Sequence, residues 1–306
     1  MSGVVEAAGV TKRYGEVLGL NGFTASFGQG ITGLIGPNGA GKSTLFRLLV
    51  GQLHLDQGRL QVLDHPAGAE GAWCRSVGYC PEHFALYDWM TGAEFVRTLL
   101  RVDGYSPAEA AERTRAALET VGLSDAGHRR MRGYSRGMRQ RIKIAQALAH
   151  GPQLLLLDEP LNSVDPLGRV QLLRLFTDLA SAGHHLIVSS HVLYEVERLT
   201  QNIVMISNGR ALAQGDFHKI RELIDARPHT IELTSPDPRA LGRALARFDH
   251  LVALEFPAPG QVRVRSRTPE EFYRSLPDLV LDEGLTVTSM RGADESLEAV
   301  FRYLAE

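Results

Sequence analysis

The chain of 306 residues is long enough for a main domain and a smaller companion, and 44% hydrophobic with 22% charged residues excludes a disordered tail or a membrane-embedded bundle. The net charge of −2 offers no basic field of the kind that holds a protein on nucleic acid by counterion release, so no nucleic-acid partner is expected. Two cysteines, Cys74 and Cys80, make neither a disulfide framework nor a CxxC zinc pair, and no apolar run reaches the roughly 20 residues that span a bilayer.

The amino-terminal stretch MSGVVEAAGVTKRYG lacks the apolar segment of a secretory signal, so the protein is expected in the cytoplasm. Residues 3–35 alternate short apolar stretches with glycines, a β-rich opening that ends in Ile31-Thr-Gly-Leu-Ile35. A glycine-rich turn follows, then a short helix, Thr44-Leu-Phe-Arg-Leu-Leu-Val50, stopped by Gly51. Residues 88–150 read as a mainly helical subdomain. Within it Ser106-Pro-Ala-Glu109 opens a helix with a capping box, an apolar stripe at Ala111, Thr114, Leu118 and Val121, and an end at Gly122. A second helix carries Ile142, Ala145 and Ala149 on one stripe and stops at Gly151-Pro152. Leu154-Leu-Leu-Leu157 and Leu186-Ile-Val-Ser189 are continuous apolar runs with a helix over 167–182 between them, the pattern of a βαβ unit in a parallel sheet covered on both faces.

At Arg227-Pro228 the composition changes: residues 228–306 hold nine arginines, no lysine and thirteen acidic residues. This predicts a boundary between a domain at 1–227 and an α+β domain at 228–306. The second domain reads as strand 230–234, helix 236–248, strands 251–256 and 261–265, helix 269–281, strand 285–289 and a final helix near 294–304. The order βαββαβ suggests a ferredoxin-like sandwich.

Gly36-Pro-Asn38-Gly39-Ala40-Gly41-Lys42-Ser43-Thr44 fits GxxxxGK followed by Ser or Thr, between a strand and a helix, as a phosphate-binding loop requires. Glycines let the backbone wrap the phosphates with N–H groups inward, and the following helix start adds positive potential. Lys42 is then expected on the β- and γ-phosphates and Ser43 on Mg²⁺. Asp158-Glu159 ends an apolar strand, beside the phosphate loop if the two strands are neighbours. There Asp158 can hold the Mg²⁺ shell and Glu159 can polarise water for attack on the γ-phosphate. His191 follows the next strand on the same edge, where its imidazole can meet a γ-phosphate oxygen. Ser135 and Gly137 lie at the start of the helix that carries Ile142, and unpaired N–H donors there suit a phosphate.

Together, in this order, the segments over residues 3–225 resemble the ATP-binding cassette family. The resemblance implies an α/β P-loop NTPase cassette with a mixed sheet core, an antiparallel β subdomain and a helical subdomain, binding ATP and Mg²⁺ and hydrolysing ATP. Gly36 to Thr44 resembles its Walker A loop, Leu154 to Glu159 its Walker B strand, and His191 its switch histidine. Tyr14, in Lys12-Arg13-Tyr14-Gly15, resembles the aromatic that stacks on adenine. Ser135 and Gly137 match the signature LSGGQ, which contacts the γ-phosphate held by an opposite subunit. The family therefore implies a dimer with itself or with a second ATPase of the same kind. Asp165, in Asn162-Ser163-Val164-Asp165, matches the acid of the loop that couples the two sites.

The chain departs from the family pattern at three places, one of them Asn162-Ser163-Val164, which is atypical for the coupling loop. Glu82, in Tyr79-Cys-Pro-Glu82, stands where glutamine is usual, and its carboxylate is a harder Mg²⁺ ligand that also repels phosphate when metal is absent. Arg136 replaces a signature glycine, and Tyr134 and Met138 its leucine and glutamine. A Pro-Glu turn, a YS-x-GMRQR signature and an extension ending like Ser296-Leu-Glu-Ala-Val-Phe301 resemble bacterial exporters, whose membrane-spanning subunit is a separate chain. Such a subunit would dock near residues 83–105, with Phe84, Leu86 and Tyr87 either receiving it or belonging to the core. The chain would then lie on the inner face of the cell membrane. An importer ATPase and a cassette protein working outside membranes are the alternative readings.

Overall fold

The computed structural model describes residues 3–67, 75–162, 164–216, 219–220 and 228–292. The expectations for Cys74, Ser163, the helix near 294–304 and the terminal Ser296–Phe301 motif lie outside these residues. The chain forms two compact units, Met1–Phe217 and His218–Glu306, which divide ahead of the change of composition at Arg227-Pro228.

The first unit opens with β1 (Val5–Tyr14) and β2 (Val17–Phe27), antiparallel and joined at Gly15, whose φ of 60° suits the tight turn. β3 (Ile31–Ile35) feeds α1 (Lys42–Leu49) through the glycine loop. β4 (Gln57–Val62) and β5 (His65–Pro66) complete an antiparallel sheet in the order β2-β1-β4-β5. β6 (Val77–Cys80) precedes three helices, α2 (Gly92–Val102), α3 (Pro107–Thr120) and α4 (Arg136–Leu148). Then come β7 (Leu154–Leu157), α5 (Pro166–Ser181), β8 (His185–Ser190), α6 (Leu193–Glu197), β9 (Asn202–Ser207) and β10 (Arg210–Asp216).

The main sheet runs β10-β9-β3-β8-β7-β6, parallel except for β10. All four leucines of β7 are buried, and they divide by parity: Leu155 and Leu157 enter the core under the helices, Leu154 and Leu156 the core shared with α1 and the β1-β2 hairpin. A strand clamped between two cores must be apolar on both faces, hence the unbroken run. β8 lies between β3 and β7, so the strands that carry the phosphate loop and Asp158-Glu159 are not neighbours. Two strand spacings, about 10 Å, separate them, and side-chain length has to close that gap.

α2 and α3 both start in full capping boxes, Thr91 with Glu94 and Ser106 with Glu109. Ala110, not Ala111, joins Thr114, Leu118 and Val121 in the core, while Ala111 is exposed. Ala110 lies one full turn before Thr114 and closer to the centre of the stripe, which also takes in Ala117.

The second unit has β11 (His229–Thr234), α7 (Pro238–Leu245), β12 (Leu251–Glu255), β13 (Gln261–Ser266), α8 (Pro269–Asp282) and β14 (Ser289–Gly292). The sheet order β12-β13-β11-β14, antiparallel throughout, is that of a ferredoxin-like βαββαβ unit. The last strand starts at Ser289, later than the expected 285. Gly284, at φ 60°, ends α8, and the Leu285 N–H bonds back to Val280, so Leu285 and Val287 pack on the core before pairing begins.

Candidate nucleotide site

The glycines of the loop after β3 are demanded by space. A Cβ on Gly36 would lie 2.4 Å from the Ile206 carbonyl oxygen, and one on Gly41 would lie 2.5 Å from that of Gly19. Gly39 and Gly41 also have φ of 80° and 111°, where side chains are strained. The loop can therefore close tightly and turn into α1 with free N–H groups at its start. It borders a cleft of about 490 Å³ whose lining brings Tyr14 together with Asn38, Gly39, Ala40, Gly41, Lys42, Ser43 and Thr44 from the loop, and with Glu82 and Glu159.

Lys42 is buried. Its Nζ donates to the carbonyls of Gly36 (2.6 Å) and Pro37 (3.2 Å) and stands 3.1 Å from Glu159 Oε1. Lysine length and the backbone turn at Glu159 close the distance that the sheet order opens. Glu159 has φ 47°, a left-handed conformation that a non-glycine residue adopts at an energetic cost of about 1–3 kcal/mol. Its Oε2 lies 2.9 Å from His191 Nδ1. Its Oε1, although ion-paired with Lys42, has no donor in hydrogen-bond geometry and is a buried, unsatisfied acceptor.

Asp158 is buried directly behind. Its Oδ1 accepts from Ser189 Oγ at 2.7 Å, and the Glu159 N–H donates to the same Ser189 oxygen at 2.9 Å, so one hydroxyl fixes both acidic residues. Burial pushes the Asp158 carboxyl above the usual range, and hydrogen bonds from Ser189 and Ser43 pull it back. The Tyr79 hydroxyl lies 3.5 Å from Asp158 Oδ2. The Glu82 carboxylate accepts from Asn162 Nδ2 at 3.1 Å. Among the described residues there is no cluster of three His, Cys, Asp or Glu side chains arranged as a metal cage. Two carboxylates, Asp158 and Glu82, and the Ser43 hydroxyl are instead a set of hard oxygen donors beside a phosphate cradle. That fits Mg²⁺, which takes few protein ligands and keeps water and phosphate for the rest.

Ser135, Gly137 and Asp165 line a different cleft, of about 620 Å³, which shares no lining residue with the first. Ser135 caps α4, its Oγ accepting from the Met138 N–H at 3.2 Å, and Asp165 caps α5, its Oδ1 accepting from the Gly168 N–H at 2.9 Å. Within one chain these three residues do not join the phosphate loop. Ser189 and Tyr79 contribute without any assignment from the sequence, and Asn162, read there only as part of the coupling loop, supplies the hydrogen bond to Glu82. For Ser189 a signal existed, a hydroxyl at the end of an apolar run aligned with the acidic strand end.

The pattern of the ABC transporter family matches residues 20–162. The chain is 34% identical to the uncharacterized ABC transporter ATP-binding protein YxlF of Bacillus subtilis (strain 168), over 88% of each chain. It is 36% identical to the Nod factor export ATP-binding protein I of Rhizobium sp. (strain N33), over 71% of this chain and 72% of that one. A solved ATP binding subunit of an ABC transporter superposes with a TM-score of 0.63 at 28% identity, covering 72% of this chain and 93% of the other. With the glycine cradle, Lys42 and the Asp158-Glu159 strand end in place, the chain belongs to the ABC transporter family, as one of its ATP-binding, ATP-hydrolysing subunits.

Proposed function

We propose that this subunit works as a dimer, with itself or with a second ATPase of its kind, and powers export through a separate membrane-spanning subunit. The carrying observation is the division of phosphate-binding features between two clefts of one chain. Lys42 and Glu159 border one, Ser135 and Gly137 the other. Two copies placed face to face would put the Ser135 helix start of each against the nucleotide held by its partner.

In this reading Tyr14 stacks on adenine, the N–H groups of residues 38–44 hold the phosphates and Lys42 pairs with the β- and γ-phosphates. Glu159 accepts a hydrogen bond from a water and aims it at the γ-phosphorus, and His191 holds the γ-phosphate and Glu159 in register. Water oxygen bonds to phosphorus, the bond to the β-bridging oxygen breaks, and ADP and phosphate leave with the proton on phosphate. Ser43, Asp158 and Glu82 would hold Mg²⁺, which when bound neutralises phosphate charge. ATP favours the closed dimer and hydrolysis removes that preference, which shifts the population of the attached membrane subunit.

A groove of about 710 Å³ overlaps the region expected near 83–105 and would seat that subunit: Phe84, Leu99 and Tyr105 give it an apolar part, and Arg47, Arg75 and Asp103 a charged one. No helix among the described residues is long and apolar enough to cross a membrane. In this reading another chain supplies the spanning part and the subunit is peripheral on the cytoplasmic side. Export is favoured by the Nod factor export relative.

The test of the dimer is complementation. Lys42→Ala and Ser135→Arg chains should each be inactive alone. Mixed, half the dimers contain both variants and retain one intact composite site, so roughly a quarter of wild-type activity should return. A mixture as inactive as its components would reject the reading. Co-purification with a polytopic chain would support transport, and an added substrate-binding protein would turn it toward import.

A further inference from the structure

α4 starts at the Ser135 cap and, further along, holds the last residue of β6 and the two residues that follow it. Lys143 is 9% exposed, and its Nζ donates to the carbonyl oxygens of Glu82 at 2.8 Å and Pro81 at 3.2 Å. One turn earlier on the same helix face, Gln140 Nε2 donates to Cys80 Sγ at 3.6 Å. From the other side, Asn162 Nδ2 holds the Glu82 carboxylate. Pro81 fixes its own φ, so little freedom remains in the turn. An aliphatic side chain could fill the place of Lys143 without desolvating a charge. The ammonium must therefore be accounted for by the two carbonyls it holds, and they lie on either side of the Glu82 Cα.

We propose that Lys143 is a positioning residue for Glu82: its grip on the Pro81 and Glu82 carbonyls sets how far the Glu82 carboxylate enters the phosphate cleft. Because Lys143 stands about 12 Å along α4 from Ser135, it ties that reach to the position of the helix start that would meet the partner's nucleotide. This rests on the proposed role of Glu82 at the nucleotide. Replacement of Lys143 should loosen the turn and withdraw Glu82 while leaving Lys42 and the phosphate loop in place.

The test is a double-mutant cycle on the full chain. Lys143→Met keeps length and volume but has no donor, and should lower kcat/KM for Mg²⁺·ATP by roughly tenfold, the worth of one charge-assisted hydrogen bond. Lys143→Arg, which brings donors to the same carbonyls, should recover to within about threefold of wild type. In a Glu82→Ala background, Lys143→Met should add less than about twofold. A readout independent of turnover is hydrogen exchange. ATP should protect residues 80–87 in the wild type but not in Lys143→Met, with residues 36–44 protected in both. Should Lys143→Met fail to fold, Lys143→Gln, which retains one amide donor, enters the same cycle. Equal losses in both backgrounds would make Lys143 a general packing residue and overturn the proposal. Wild-type kcat/KM and nucleotide affinity in Glu82→Ala would instead remove the reading of Glu82 beneath it.

Discussion

Replacing Glu159 by glutamine keeps its volume and both contact distances but removes the charge that pairs with Lys42 at 3.1 Å and meets His191 at 2.9 Å. Lys42 retains the carbonyls of Gly36 and Pro37, so its ammonium does not become an orphan, and the fold should lose about 1–3 kcal/mol. Hydrolysis should fall far more. A positioned base contributes about 10²–10⁴ in rate, or roughly 3–5 kcal/mol of barrier, and an amide nitrogen cannot take its place. ATP should bind at least as tightly as in the wild type, because Lys42 no longer has a carboxylate competing with phosphate and no negative charge faces the γ-phosphate. Phosphate release measures the first effect, a fluorescent-nucleotide titration the second, and thermal unfolding the third. Activity within about tenfold of wild type would refute the assignment of Glu159 as base, since the lower bound expected for its removal is about a hundredfold. Loss of nucleotide binding in a folded variant would refute the separation of binding from chemistry.

Gly41→Ala places a methyl against the Gly19 carbonyl at a φ of 111°, and nucleotide affinity should fall by at least about tenfold, read by the same titration, while the second unit unfolds as before. In that unit Glu232 accepts from Arg263 at 2.8 and 3.1 Å and from Arg291 at 2.9 Å, and these partners hold its carboxyl below the usual range. A lowered folded-state value means that its stabilisation is present at neutral pH and is lost as pH falls through that value. Glu232→Gln should therefore cost about 1 kcal/mol at neutral pH, and wild type and variant should converge in acid, as thermal unfolding against pH will show. Cys80 is fully buried and its thiol is pushed up to about 12, so in a Cys74→Ser background a thiol reagent should react only after unfolding.

The parts of the site legible in the sequence are those in which local geometry and chemistry coincide. A glycine that cannot carry a Cβ, a capping box and an apolar strand ending in acid are each set by residues within one turn or strand of each other, so Gly36–Thr44, Ser106–Glu109 and Leu154–Glu159 could be read directly. The ferredoxin-like order was legible because the succession βαββαβ is read element by element from local patterns, and the buried Val262 and Val264 alternating with Arg263 and Arg265 show one such element. What escaped depends on distant pairings. Nothing near β3 says that β8 will separate it from β7, and nothing near Ser189 says that its hydroxyl will hold residues of another strand. The slip from Ala111 to Ala110 has a different origin. An alanine stripe tolerates a shift of one residue in which face it presents, and only the packing of α3 decides it.

The arrangement of Lys42, Glu159 and His191 has a consequence for the proposed cycle. The lysine expected to bind phosphate and the carboxylate expected to activate water neutralise each other, in a buried place where neither is easily left alone. Glu159 is held there at a strained backbone angle by the Ser189 hydroxyl on its own N–H, with one oxygen lacking a hydrogen-bond donor. A phosphate that draws off Lys42 thus replaces one counter-charge by another for the lysine, and at the same moment frees the acidic side chain to accept from water. On this reading the base is quenched until the substrate arrives, so binding and activation share one exchange of partners and require no separate signal between them.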